Sequence, residues 1–328
     1  MLIKCLRQLK LAAVIAAVFV HGPLFSQQTD SAYDLMARMA KASKELSYSG
    51  LFTYQFRGNL TSVKVVHIAR DGKTYERLVH MDGPEREIVR RNDDTNCMRA
   101  SDMLLRGRAL KINDNSYAHL EDFYNFYIRG DARIAGRQVT VVHVIPKDKY
   151  RHGYVIAIDK ETGLMLQSLL VNSQGEPMER FQFVDVSIGE NLDNDEFSLE
   201  LINSDNSDVD QSDCLEANQQ AKVSGSQWVP KWLPAGFVLS SYQPVSADGQ
   251  ESLMYTDGLA VFSVFIDSAV KNRNFPGVDA NLGATVAVLT NAVFNDKRFV
   301  ITVVGEIPKS TAIQIVNTIA PLAASPTP

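Results

Sequence analysis

The chain has 328 residues, with 33 Lys and Arg against 38 Asp and Glu, and a formal charge of −5 at pH 7. Such a length exceeds one typical domain and predicts two of unequal size, with enough chain to bury a sizeable core. The acidic balance argues against nucleic acid as a partner.

Lys4, Arg7 and Lys10 precede the apolar run LAAVIAAVFV, Leu11 to Val20, which is followed by HGPLFSQQ. This is the pattern of a secretory signal cut near Ser26. Its apolar run is too short to cross a hydrocarbon core, which needs ~20 residues. Losing residues 1–26 removes three basic and no acidic residue, taking the charge from −5 to −8. Cys97 and Cys214 then remain in an oxidising compartment, as one disulfide or as two free thiols.

The segment DSAYDLMARMAKASKEL, residues 30 to 46, predicts a helix capped at Asp30 or Ser31, with Tyr33, Met36, Met39 and Leu46 on one stripe. Short alternating runs follow, from SGLFTYQFRG to MERFQFVDVSI, separated by turn signals such as DG, KETG and NSQGE. They predict an antiparallel meander. Within it, LVHMDGPEREIVRRND (78–93) reads as a turn at Gly83-Pro84 leading into a strand. Arg86, Ile88 and Arg90 would share one face of that strand, and Glu87, Val89 and Arg91 the other. Between the two halves of the meander, YAHLEDFYNFYIRG (117–130) predicts a helical stripe of Leu120, Phe123, Phe126 and Tyr127. That stripe serves either as core packing or as a lid.

Residues 190–220 hold ten acidic residues and no basic one, and their second half lacks the apolar content to pack. The first domain is therefore placed at 27–204, an acidic flexible linker at 205–225, a smaller domain at 226–320 and a tail at 321–328. The second domain opens with WVPKWLPAGF. SLMYT, Asp257-Gly258 and LAVFSVFID predict a hairpin with a two-residue turn. GATVAVLTNAVFNDKRFVITVVGEIP adds a strand pair, and KSTAIQIVNTI a closing helix with Ile313, Val316 and Ile319 inward. The fold class is α+β, dominated by antiparallel sheet.

Signals for catalysis are weak. His67, His80, His119, His143 and His152 include no pair at the i, i+4 spacing of a helical zinc site, and neither remaining cysteine has a ligand-spaced neighbour. The sequence contains no G-x-S-x-G elbow, P-loop or dinucleotide fingerprint. Neither a metal nor a cofactor is expected, and an enzyme is the weakest class. Two other features stand out. Arg86, Arg90, Arg91, Arg99, Arg106 and Arg108 form a locally basic stretch suited to an anionic head group or acidic peptide, or else to a salt-bridged sheet face. Tyr54, Phe56, Val65, Ile68, Phe181 and Phe183 would line an apolar hollow if the meander curls, or simply pack a core.

Four blocks in order, MDGPEREIVRR (81–91), WVPKWLPAGF (228–237), LMYTDGLAVFSVFI (253–266) and ITVVGEIP (301–308), closely resemble the RseB/MucB family. These are periplasmic regulators of the sigma-E (AlgU) envelope-stress response. The resemblance spans nearly the whole mature chain. It implies a large amino-terminal half-barrel with helices, similar to the lipoprotein carriers LolA and LolB, a smaller α/β domain with an antiparallel sheet, and a flexible connection. It also implies binding to the periplasmic region of a membrane-spanning anti-sigma factor of the RseA/MucA type, which is thereby shielded from a DegS/AlgW-type site-1 protease. Lipopolysaccharide or mislocalised lipoprotein acyl chains are the implied releasing ligands. The family brings no catalytic residues. Trp232, Tyr255 and Phe265 are candidate partner contacts, with core packing as the competing reading, and a homo-oligomer is left open. A LolA-type carrier is the alternative function, and an exported hydrolase a distant third.

Overall fold

The computed structural model describes residues 31–84, 86–91, 120–189, 226, 228–246, 249–268 and 279–322, with backbone alone at 90, 91, 279 and 282. Helix α1 (Ala32–Glu45) starts where its sequence says it should: Ser31 Oγ accepts from the Asp34 N–H at 3.1 Å, and the Asp34 carboxylate accepts from the Ser31 N–H at 3.1 Å. This reciprocal box satisfies two of the donors that a helix start leaves open. Leu35, Met36, Met39, Ala40 and Ala42 are its buried face. On the same helix, Arg38 donates to the carbonyls of Asp159 and Lys160 at 3.3 and 3.1 Å.

Nine strands form the first sheet: β1 (Tyr48–Phe56), β2 (Asn59–Arg70), β3 (Lys73–His80), β4 (Glu87–Arg91), β5 (Tyr124–Ile134), β6 (Arg137–Pro146), β7 (Gly153–Asp159), β8 (Met165–Val171) and β9 (Pro177–Ile188). The order is β4-β3-β2-β1-β9-β8-β7-β6-β5, antiparallel throughout. Two meanders thus meet where β1 pairs β9, with Phe52 opposite Phe183 and Tyr54 opposite Phe181. Although β5 stands four places from β9 in this order, it packs against it, and α1 touches both β2 and β5. The sheet is therefore curled around the helix without closing, the half-barrel that the resemblance implies. Three of its hairpins turn on two residues with positive φ, Arg57-Gly58, Asp71-Gly72 and Ala135-Gly136. That geometry matches the strand twist.

In the strand that follows Gly83-Pro84, alternation holds. Ile88 packs toward the main core, while Val89 joins Val66, Ile68 and Tyr75 on the opposite face of the sheet. On that outer face Arg77 donates to Glu87 at 2.9 Å. The helical reading of 117–130 is corrected. Residues 117–119 lie outside the described part, α2 covers only Leu120–Phe123, and β5 begins at Tyr124. Tyr124, Phe126 and Ile128 follow a period of two as readily as Phe123, Phe126 and Tyr127 follow a helical one, and the β-favouring aromatics with a long partner in β6 decide for strand.

The second domain has a six-stranded antiparallel sheet with the order β11-β12-β13-β16-β15-β14. Its strands are β11 (Val238–Gln243), β12 (Gln250–Thr256), β13 (Val261–Asp267), β14 (Asp279–Leu282), β15 (Thr285–Phe294) and β16 (Lys297–Gly305). Helix α3 (Lys309–Thr318) covers β15 and β16, and a two-stranded ribbon pairs β10 (Trp228–Pro230) with β17 (Ile319–Pro321). Trp228, Phe237, Phe262, Val264, Ile301 and Ile315 are among its buried core. Two expectations change here. Ile313 faces solvent at 38% exposure, whereas Ala312, Ile315 and Val316 face inward, because the stripe runs through 312, 315, 316 and 319. Asp257-Gly258 is not a two-residue turn: Thr256 pairs with Val261, so the loop is Asp257–Ala260. A further strand, β11, had no sequence-based expectation.

Candidate functional site

Among the described residues, a cluster of buried polar groups lies where the β12–β13 loop, the β14–β15 turn and the segment after β16 meet the first sheet. Asp257 is pinned by its own loop, with Oδ1 accepting the N–H groups of Leu259 and Ala260 at 2.9 and 2.7 Å. This frees Oδ2 to accept Arg151 Nη1 at 2.7 Å and the Tyr124 hydroxyl at 2.9 Å. Both side chains of the Arg151–Asp257 pair are fully buried. Arg151 also donates to Asp148 Oδ1 at 3.2 Å and to the Ala235 carbonyl at 2.6 Å. Its guanidinium carbon sits 5.0 to 5.4 Å from the ring centroids of Phe123, Phe237 and Tyr124. Burial pulls the Asp257 carboxyl upward, and the guanidinium and three further donors oppose it. Burial likewise holds the Tyr124 phenol well above its usual range, so it stays a donor.

A second group of titratable side chains lies beside this pair. Glu179 on β9 accepts the Tyr54 hydroxyl at 2.6 Å and the Ala284 N–H of the second domain at 2.8 Å. Glu306, which follows β16, is pushed up to about 8, by burial first and by the Glu179 charge second. Glu179 is itself raised by burial, against the pull of its two donors. His152 donates to the Ile307 backbone, and burial lowers it to about 4. Leu259 and Ala284, both of the second domain, belong to the buried core of the first. Gly236 and Gly283 carry positive φ where a Cβ would collide with the Phe123 and Phe56 rings, so only glycine lets the backbone come this close. Trp232 extends the contact by meeting Tyr150 edge-on, with centroids 5.1 Å apart.

The predicted site residues divide unevenly over this frame. Phe181 and Phe183 pack with Phe52 in the first core, Val65 joins them, and Tyr54 lies at its edge. Phe56 stacks near Tyr54, toward Gly283. Ile68 does not join them: its parity on β2 puts it in the separate outer-face cluster. Arg86 is exposed, and Arg90 and Arg91 lie in the edge strand β4. Arg99, Arg106, Arg108, Cys97, Cys214 and His119 lie outside the described residues. Of the partner candidates, Tyr255 is core, stacked on Phe262 at 5.2 Å, while Trp232 and Phe265 are half-buried. Sequence reading missed Arg151, Asp257, Glu179 and Glu306 as members of one site. Locally, Asp257-Gly258 reads only as a hairpin turn, and the pairing of Thr256 with Val261 that extends the loop to Ala260 is not legible in the sequence.

No helix among the described residues is long and apolar enough to cross a membrane. Residues 31–201 match the MucB/RseB N-terminal domain family, and residues 222–320 the MucB/RseB C-terminal domain family. The sigma factor AlgU regulatory protein MucB of Pseudomonas aeruginosa is 32% identical over 308 residues, 91% of this chain and 93% of that one. The sigma-E factor regulatory protein RseB of Escherichia coli K12 is 28% identical over 297 residues, 87% and 89% of the two chains. A crystal structure of MucB in complex with MucA(peri) aligns at a TM-score of 0.67 and 32% identity, over 90% of this chain and all of that one. With both halves matched in order along one chain, this protein belongs to the MucB/RseB family.

Proposed function

We propose that this chain is a periplasmic negative regulator of a sigma factor of the sigma-E/AlgU type, acting by binding the periplasmic region of a membrane-spanning anti-sigma factor. One observation carries the reading: the chain is alike over nine-tenths of its length to a MucB whose structure is of a complex with MucA(peri). Such a regulator needs no catalytic group, only a surface that covers the partner's cleavage site. Bound protein then shields the anti-sigma factor from its first protease, and lipopolysaccharide or lipoprotein acyl chains release it.

Release follows if lipid and partner prefer different arrangements of the two domains, because each then weakens the other by the same factor. Acyl chains would enter between α1 and the curled sheet, near Val65, Phe181 and Phe183. Head groups would meet the arginines from just before β4 onward, namely Arg86, Arg90, Arg91, Arg99, Arg106 and Arg108. Trp232 and Phe265 are the partner contacts, whereas Tyr255 lies in the core of the second domain. A simple carrier would use the first sheet alone, yet here that sheet's core is completed by Leu259 and Ala284 of the second domain, which favours the regulator.

Titration calorimetry of the mature chain against the periplasmic fragment of its own organism's anti-sigma factor tests this. Binding that weakens when lipopolysaccharide or a lipopeptide is added is expected. Absence of binding, with lipid still retained, would overturn it in favour of the carrier.

A further inference from the structure

The strand registers bring Tyr124, Tyr154, Glu179 and Phe56 to one end of the first sheet, near the starts of β5, β7 and β9 and at the close of β1. Two tips of the second domain reach that end, the β12–β13 loop and the β14–β15 turn, and each leaves an apolar side chain there. Leu259 and Ala284 are buried within the first core, at 4% and 0% exposure. The core of their own domain holds neither, although Ala260, next to Leu259, belongs to it. Gly283, with φ of +66°, has the Phe56 ring where a Cβ would stand, so the turn that carries Ala284 lies directly on β1. Three tyrosines near this end are tied to the second domain. Tyr124 donates to Asp257 at 2.9 Å and Tyr154 to the Leu259 carbonyl at 3.4 Å. Tyr54 donates to Glu179 at 2.6 Å, whose other oxygen accepts the Ala284 N–H at 2.8 Å.

We infer that Leu259 and Ala284 act as an internal ligand that stoppers this end of the curled sheet, so that entry of an acyl chain and docking of the second domain exclude one another. This rests on the acyl-chain reading of the hollow proposed above. A native core holds few voids larger than a water molecule, so a chain entering here takes the place of the stopper. The phenols follow the same exchange: once the second domain leaves, their hydroxyls need new acceptors, which water or the oxygens of a carboxyl or ester group supply. Exclusion gives lipid a concrete reason to favour an undocked arrangement, because docking has already filled its seat. It also makes the docked chain self-inhibited, with an apparent affinity for acyl chains lowered by the fraction that is undocked.

The experiment is binding of cis-parinaric acid, a long-chain fatty acid that fluoresces in apolar surroundings, to the full mature chain below the concentration at which the acid forms micelles. At saturation, hydrogen exchange is expected to show the Ala284 amide, bonded to Glu179, stripped of protection. Amides shared by β13 and β16 should stay slow, which shows that the second sheet remains folded. Leu259→Ala should tighten binding by roughly tenfold or more, because loss of a core leucine weakens the docked state and leaves more chain competent to bind. Asp257→Asn leaves Leu259 in place and keeps an oxygen for the loop amides, yet removes the charge opposite Arg151. It should tighten binding as well, which a cavity at position 259 would not explain. Parinaric acid bound with Ala284 still protected overturns the inference, as does equal affinity in the wild type and both variants; in either case the acyl-chain reading survives. No binding by any of the three overturns both, leaving the anti-sigma factor to stand on its calorimetry.

Discussion

Replacing Asp257 with alanine strands the Arg151 guanidinium in a site where it is fully buried. Breaking one side of a buried pair typically costs ~3–5 kcal/mol, because the remaining charge has no partner. Asp257→Ala should therefore lower the free energy of unfolding, measured by urea titration, by an amount of that order. The double variant with Arg151→Ala should recover part of the loss, since no lone charge remains. A loss under ~1 kcal/mol in the single variant would mean that water reaches the pair. Ser31→Ala is a milder case at the helix start. Loss of its acceptor for the Asp34 N–H should cost ~1 kcal/mol, measured the same way. For Gly236, which combines φ of +88° with the Phe123 ring against its α-carbon, alanine adds backbone strain of ~1–3 kcal/mol to a steric clash. A thermal melt of Gly236→Ala should show a clear drop.

At the scale of elements, the β15–β16 hairpin turns on Asn295 and Asp296, both with positive φ, at 50° and 60°. A non-glycine residue there is strained, so Asp296→Gly is expected to raise stability by ~0.5–1 kcal/mol in equilibrium unfolding. Most strands of the first sheet could be read from alternation alone, because one face is packed and the other is wetter, as the neighbours Ile88 and Val89 illustrate. Helix α1 was legible from its cap and its stripe. The 117–130 segment was not, since an aromatic-rich run satisfies two periods and only the presence of β6 beside it decides between them. The junction was invisible for a different reason. Arg151 and Asp257 lie 106 positions apart, and nothing local distinguishes an aspartate that shapes its own turn from one that also binds a distant guanidinium. The hollow-lining set failed at Ile68 by one step of parity, which on a strand reverses the face.

For the whole molecule, the two sheets share buried groups that neither can satisfy alone. A chain truncated after residue 222 would uncover the sites that Leu259 and Ala284 fill. It should lose binding to the anti-sigma fragment and also melt at a lower temperature than the intact protein. Because the Arg151–Asp257 pair is shut away from solvent, that difference should persist at high salt, which screens exposed charges far more than buried ones. The same sharing constrains the order of assembly. The last strand of the first sheet ends at Ile188, but the residues that seal its core arrive only at Leu259 and Ala284. A chain emerging from its amino end therefore exposes an unsealed apolar interior until much of the second domain has followed. During that interval the nascent protein depends on escorts that cover greasy surface, and slowing delivery of its second half should raise its losses to proteolysis.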